Sequence, residues 1–175
     1  MKFLYKTNLC LTTLLLCLGL MTATEANAQV KAGGGLAYGS EVTKLGIQAN
    51  GYYTIPANEQ IRAGLEFTYF FPESYEGGSS RISEFNVNGN YFFYEEDEIS
   101  AYGLAGISHI TSSVSWDETS FSGAGGASGS WTGINLGGGA EYEAGFGSLY
   151  GELKFVLSTY DQLVLSVGTR IPFDL

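Results

Sequence analysis

From Val30 to Phe173 the chain alternates between large apolar residues and small, amide or charged ones, in eight successive segments. Alternation at period two is what a β-strand needs when its two faces meet different surroundings. The first segment, Val30 to Tyr38, places Val30, Ala32, Gly34, Leu36 and Tyr38 on one face. The second, Leu45 to Ile55, sets Leu45, Ile47, Ala49, Gly51, Tyr53 and Ile55 against Gln48, Asn50, Tyr52 and Thr54. A turn, Pro56 to Gln60, leads to the third, Ile61 to Phe71, where Leu65, Phe67 and Tyr69 oppose Arg62, Glu66 and Thr68. A polar link from Pro72 to Ser80 follows. The fourth, Ser83 to Tyr94, alternates Phe85, Val87, Gly89, Tyr91 and Phe93 with Glu84, Asn86, Asn88 and Asn90.

Glu95 to Glu98 turn the chain into the fifth segment, Ile99 to Ile110, where Tyr102 and Leu104 read as the apolar face. Thr111 to Ser130 reads as a Gly/Ser-rich loop. The sixth segment, Trp131 to Glu143, sets Ile134, Leu136, Gly138, Ala140 and Tyr142 against Asn135, Glu141 and Glu143. Ala144 to Gly147 form a turn. The seventh, Ser148 to Leu157, opposes Leu149, Leu153, Phe155 and Leu157 to Tyr150, Glu152 and Lys154. The eighth, Leu163 to Phe173, opposes Leu163, Leu165, Val167, Ile171 and Phe173 to Ser166 and Arg170, with Thr169 interrupting the apolar series.

Each segment holds roughly 9 to 13 residues. A tilted strand that crosses a bilayer needs about 9–11, whereas soluble strands average about 5–6. No stretch of the mature chain keeps helical spacing. The predicted fold is all-β: an eight-stranded antiparallel up-and-down transmembrane β-barrel. With the N-terminus periplasmic, the turns after the second, fourth and sixth segments are periplasmic and short. The links after the third and fifth are outside and longer, as in membrane barrels; those after the first and seventh are short.

Alternation does not say which face is inside. A soluble lipocalin-like barrel would bury the apolar face around a ligand. Three features favour the inverse. The polar face is rich in amides (Gln48, Asn50, Asn86, Asn88, Asn90) and poor in lysine. Its mid-strand charges have both signs, Arg62, Lys154 and Arg170 against Glu66, Glu84, Glu141, Glu143 and Glu152, and can pair inside a narrow barrel. A charge on the lipid side costs about 2–4 kcal/mol at the midplane. Aromatics also crowd the strand ends (Tyr52, Tyr53, Phe67, Tyr69, Phe70, Phe71, Tyr91, Phe92, Phe93, Tyr94), where membrane barrels carry aromatic girdles. Closure pairs the last strand with the first, because unpaired backbone groups are costly in hydrocarbon. Eight strands leave an interior wide enough only for side chains, which predicts a plugged core. Gly33 to Gly35 and Gly137 to Gly139 leave room for larger interior neighbours.

Residues 1–28 read as a secretory signal peptide. Lys2 and Lys6 make a positive n-region, Leu9 to Met21 an apolar h-region, and Ala26-Asn27-Ala28 a cleavage site. The mature domain is then 29–175, 147 residues long. Both cysteines, Cys10 and Cys17, lie in the leader, so the mature chain has no disulfide, thiolate nucleophile or thiolate metal site. Without Lys2, Lys6 and Glu25 it carries 6 basic and 17 acidic residues, net −11. That balance argues against nucleic acid as a partner.

Tyr102-Gly103-Leu104-Ala105-Gly106, Ile134-Asn135-Leu136-Gly137-Gly138-Gly139, Tyr150-Gly151-Glu152-Leu153-Lys154 and the final strand resemble the small OmpA/OmpX-type outer-membrane β-barrel proteins, particularly those of Bacteroidetes-like bacteria. The resemblance covers the whole mature chain. It implies a Gram-negative outer-membrane location, outer-membrane lipid and lipopolysaccharide as surroundings, and insertion by the barrel-assembly machinery, which reads a terminal aromatic. Here Phe173 is followed by Asp174 and Leu175. Activity is implied only weakly, since one fold hosts many functions.

Candidate chemistry is sparse. His109 is the single histidine, with Ser108, Thr111, Ser112 and Ser113 nearby. Some barrels of this size deacylate lipid A with a Ser-His-Glu arrangement, and that chemistry needs the nucleophile within reach of its base. No glutamate stands at a matching position on the next strand. Asp117 and Glu118 are too few for a cation site. Trp116, Phe121 and Trp131 flank the Gly/Ser loop and suit either anchoring of a partner or anchoring of the strand ends. The expectation is a non-enzymatic barrel with no catalytic, cofactor-binding or metal-binding residues, which supports the envelope or presents its loops.

Overall fold

The computed structural model describes residues 29–75, 78–116, 126–159 and 161–174. The leader, with Cys10 and Cys17, lies outside the described residues, as do Asp117, Glu118 and Phe121. The strands are β1 (Gln29–Gly39), β2 (Lys44–Thr54), β3 (Ile61–Tyr75), β4 (Gly78–Glu96), β5 (Ile99–Trp116), β6 (Ala127–Glu143), β7 (Ser148–Leu157) and β8 (Gln162–Asp174). They pair antiparallel in chain order and close into a barrel, β8 returning to β1 with Gln29 opposite Asp174 and Gly39 opposite Val164. Closure leaves no ladder open around the girth, as hydrocarbon requires.

The sidedness is the inverted one. Leu165, Val167 and Phe85 are 51 %, 52 % and 45 % exposed on the outer wall, while Glu141 and Arg170 are 2 % and 1 % exposed inside. β7 alternates residue by residue between buried and exposed along its whole length. A soluble barrel has the opposite arrangement, so the lipocalin-like alternative fails on this point.

Four expectations need correction. The Pro72–Ser80 link is mostly strand, because β3 continues to Tyr75 and β4 begins at Gly78, across a register shift between Phe70 and Glu73. Likewise β5 runs to Trp116 and β6 starts at Ala127, so much of the Gly/Ser stretch is a pleated ribbon rather than a loop. The reason is local: Ser and Thr at these positions fit a two-stranded ladder, and a ladder needs no apolar alternation once it has passed the apolar belt of the barrel wall. Tyr102 and Leu104 point inward, both nearly fully buried. The outer face of β5 is instead Ile99, Ala101, Gly103, Ala105 and Ile107. Both faces of that strand read as apolar, and the tyrosine's hydroxyl settles the matter by finding a carboxylate in the lumen. Finally, Tyr52, Phe70 and Phe92 leave the expected girdle for the interior. Each has an aromatic neighbour in sequence, and neighbours on a strand must face opposite ways.

The consequence of the longer strands is asymmetry. β6 loses β7 as a partner beyond Ile134, and β3 loses β2 beyond Phe70. β3 to β6 therefore rise as a wall at the end of the barrel opposite Gln29 and Asp174. The other end is closed by tight turns, including a two-residue turn at Asp97-Glu98 in which Asp97 adopts φ 50°.

The glycines do make room inside, though only those on the inner face. A Cβ at Gly139 would stand 2.6 Å from the Tyr102 hydroxyl, and one at Gly35 would stand 2.9 Å from the Tyr150 hydroxyl. Gly34 and Gly138 sit on the outer face by alternation.

If the outer wall faces lipid, Val167→Arg at mid-strand of β8 is expected to lower folding stability by about 2–4 kcal/mol in bilayers. Val167→Leu at the same position, which keeps the wall apolar, is expected to change stability by less than about 1 kcal/mol. Urea titrations in lipid vesicles, followed by tryptophan fluorescence, measure both.

Candidate functional site

Every strand contributes polar residues to the lumen at period two, so the strand pattern alone stacks them into layers. Nearest Gln29 and Asp174, Lys31 Nζ donates to Glu141 Oε2 at 3.1 Å, Glu143 Oε1 at 2.6 Å and Ser148 Oγ at 2.7 Å. Arg62 Nη1 donates to the same Glu141 Oε2 at 3.0 Å, and its guanidinium lies 3.7 Å above the Phe92 ring. Arg170 Nη1 donates to Glu141 Oε1 at 2.5 Å, and its Nη2 donates to Glu152 Oε2 at 3.4 Å. The Arg170 guanidinium sits between the rings of Tyr52, at 4.3 Å, and Tyr150, at 4.0 Å. The Tyr102 hydroxyl donates to Glu152 Oε2 at 2.8 Å. Glu141 is thus the hub: one carboxylate bridges three cations from β1, β3 and β8.

A second cluster lies toward the outer end. Lys154 Nζ meets Glu66 Oε1 at 2.5 Å and Glu84 Oε1 at 2.8 Å, with all three side chains essentially inaccessible. Asn86 Nδ2 donates to Glu66 at 3.0 Å. Asn135 Nδ2 donates at 2.8 Å to both Asn86 Oδ1 and Asn88 Oδ1, which joins β6 to β4 across the lumen. Between the clusters, the Tyr150 hydroxyl donates to Gln48 Oε1 at 2.6 Å, and Gln48 Nε2 donates to Ser166 at 3.2 Å. Tyr52 Oη and the Asn90 amide are buried without a protein partner among the described residues, a place for lumenal water.

The inner charges balance. Lys31, Arg62, Lys154 and Arg170 face the buried carboxylates Glu66, Glu84, Glu141 and Glu152, with half-exposed Glu143 at the rim. Buried ions pair because an unpaired one would lose its hydration without compensation. Above the second cluster the lumen changes character: Ala37, Ile110, Val156 and Val164 form a buried apolar layer, with Ile82 and Trp131 packed on it.

Of the interior pairing anticipated, Arg62, Lys154 and Arg170 meet Glu66, Glu84, Glu141 and Glu152, while half-exposed Glu143 pairs with Lys31 at the rim. Lys31 joins it without having been anticipated. Its signal was in the sequence, since Val30 and Ala32 face outward and leave Lys31 to the lumen. The buried Tyr52, Tyr102 and Tyr150 were also missed as parts of the network.

The structure separates the residues of the serine-histidine idea. His109 lies on the outer wall with its ring Nδ1 3.3 Å from Thr132 Oγ1, whereas Ser108 is fully buried in the lumen. As adjacent residues on one strand they project from opposite faces, so Ser108 and His109 form no nucleophile–base pair. Thr111 and Ser113 share the outer face with His109 at positions above it, and Ser112 faces the lumen side. Among the described residues no group of three or more His, Cys, Asp or Glu is placed to hold a metal ion. Trp131 folds inward onto the apolar layer rather than outward as an interface anchor.

No protein-family model matches the chain, and no curated protein matches it in sequence. Solved structures do match. The attachment invasion locus protein Ail of Yersinia pestis aligns with TM-score 0.60 at 16% identity, over 86% of this chain and 100% of that one. Neisserial surface protein A aligns at 0.63 and 16% identity, over 84% and 97%. A major outer-membrane protein of Thermus thermophilus aligns at 0.66 and 13% identity, over 83% and 99%. The chain has the fold of the small OmpA/OmpX-type outer-membrane barrels.

Removing the hub is expected to leave Lys31, Arg62 and Arg170 facing one another. Glu141→Ala is expected to destabilise the barrel by about 3–5 kcal/mol, and Lys154→Met, which strands Glu66 and Glu84, by a similar amount. Single-residue surface changes such as Glu95→Gln are expected to stay within about 0.5 kcal/mol. Denaturant midpoints in lipid vesicles discriminate these outcomes.

Proposed function

We propose that this chain is exported by its first 28 residues, cleaved before Gln29, and inserted in the outer membrane of a Gram-negative bacterium as a non-enzymatic, non-conducting barrel. It supports the envelope and holds the raised β3–β6 wall toward the outside, where partners meet it. The observation that carries this reading is the reversal of sides: an apolar exterior around a lumen of paired ions. Such a surface is stable only in contact with lipid or a partner of equal greasiness.

Orientation follows from the same reasoning. The tight turns lie at the same end as Gln29 and Asp174, where β1 starts and β8 ends, and the tall wall lies at the other, which suits a periplasmic and an outer side respectively. Support for the non-conducting part comes from the filled lumen, with two ion clusters and an apolar layer stacked along it. Ail, one of the structural neighbours, has been solved with the heparin analogue sucrose octasulfate. A mature chain of net −11 gives a polyanion little to bind, so we infer that its outer partner is not a sulfated sugar.

Expression of the full chain in a Gram-negative host tests the proposal. The mature protein is expected in the detergent-extracted outer-membrane fraction, with its N-terminus at Gln29 by mass spectrometry and a gel mobility that shifts on boiling. In planar bilayers it is expected to show no stable ion conductance. Recovery in the soluble periplasmic fraction contradicts the location. A change in the lipid A acyl pattern caused by purified protein contradicts the non-enzymatic reading.

A further inference from the structure

Above the apolar layer the barrel does not end flush. A cavity of about 230 Å³ opens at the outer mouth, walled by Val42, Ile82, Ile110 and Trp131. Val156 and Val164, both fully buried, pack with Ile110 at the cavity wall, and Gln162, which also lines the cavity, donates to Glu84 of the ion cluster at 3.3 Å. Trp131 belongs to the stretch of β6 that has outrun β7. Its indole lies over Gly129, where a Cβ would come within 3.0 Å of the ring. The glycine lets the large ring lie close against the backbone of its own strand. Apolar space of this size is meaningful: an engineered cavity of about 150 Å³ takes up benzene, whereas sites for drug-sized ligands begin near about 300 Å³. The volume suits one substituted ring.

The rim gives the sign of the head group. Exposed Glu41 and the buried Gln162 line the opening. Ser158, also on the rim, donates its backbone N–H to Asp161 Oδ1 at 3.1 Å, which fixes a second carboxylate on the β7–β8 turn. Of the described cations on neighbouring strands, Lys44 Nζ is directed at Ser80 Oγ, 2.8 Å away, and Arg81 is exposed and alternates outward relative to Ile82. We propose that this mouth is a binding site for a small molecule with a single-ring apolar body and a cationic head, the body against Trp131 and Ile110 and the head toward Glu41.

Trp116 and Trp131 are the two tryptophans of the chain, so Trp116→Phe leaves Trp131 as sole reporter. In that background, mature protein in phosphatidylcholine nanodiscs is titrated with benzylammonium, benzyl alcohol and phenylacetate, and followed by fluorescence and by amide NMR shifts. Benzylammonium is expected to give a saturable change centred on Ile110, Ser112 and Trp131. It should bind about two- to fivefold more tightly than benzyl alcohol, the range for an exposed ion pair, and phenylacetate more weakly still. Glu41→Gln is expected to remove the preference while retaining binding. Ser112→Phe, which fills the cavity, is expected to abolish saturation while keeping the heat-shifted gel mobility of a folded barrel. Three results would overturn the proposal: no saturable shift in the unfilled protein, equal affinity for the three probes, or a response unchanged by Ser112→Phe, which would mark uptake by the bilayer alone.

Discussion

A backbone placed in hydrocarbon has no water to satisfy its N–H and C=O groups, and everything else in this molecule follows from that. A sheet meets the condition only if it closes, so β8 must find β1. Once closed, each strand offers one face to lipid and one to a lumen a few side chains wide. The lipid face is free to be apolar with little further constraint. The inner face is not, because eight strands leave an interior just wide enough for side chains and each must fit its neighbours.

Charge solves the packing of that inner face. Four cations and four deeply buried carboxylates, drawn from six of the eight strands, pair across the lumen and tie non-adjacent strands together. Backbone ladders join only neighbours; Glu141 joins β6 to β1, β3 and β8. Removing Lys154 strands Glu66 and Glu84, and removing Glu141 takes the shared carboxylate from three cations, in a region those ions cannot leave. Tyr52 and Tyr150 complete the lattice by stacking on Arg170 and Tyr102 by donating to Glu152, with Gly64, Gly35 and Gly139 making room for the three rings. The apolar layer then lies between this lattice and the outer mouth, crossed by Gln162, which reaches Glu84, so the barrel is filled twice over by different physics.

Much of this was legible in the chain. Alternation in β7 and β8 defined both face and limits, because every second residue there is unambiguous: Leu153, Phe155, Leu165 and Val167 against Glu152, Lys154 and Ser166. The interior ions were legible because charges of both signs sat mid-strand on the amide-rich face. β5 was not, since small apolar residues on its outer side left Tyr102 and Leu104 looking like the lipid face. The raised wall was hidden for a related reason. Beyond the membrane a strand pair needs only ladder hydrogen bonds, and serines and glycines that read as loop can supply them. The outer cavity was illegible altogether, because Val42, Ile82, Ile110 and Trp131 are brought together from four separate stretches of chain.

The central claim is the sidedness of the wall, and the cysteine-free mature chain permits its direct measurement. Single cysteines placed in turn from Leu163 to Ile171 along β8, spin-labelled in lipid vesicles, report access to oxygen dissolved in the bilayer and to a water-soluble nickel chelate. The account predicts oxygen contact peaking at Leu163, Leu165, Val167 and Ile171 and falling at Val164, Ser166 and Arg170. Peaks at the even-numbered positions, or no alternation at all, would contradict it.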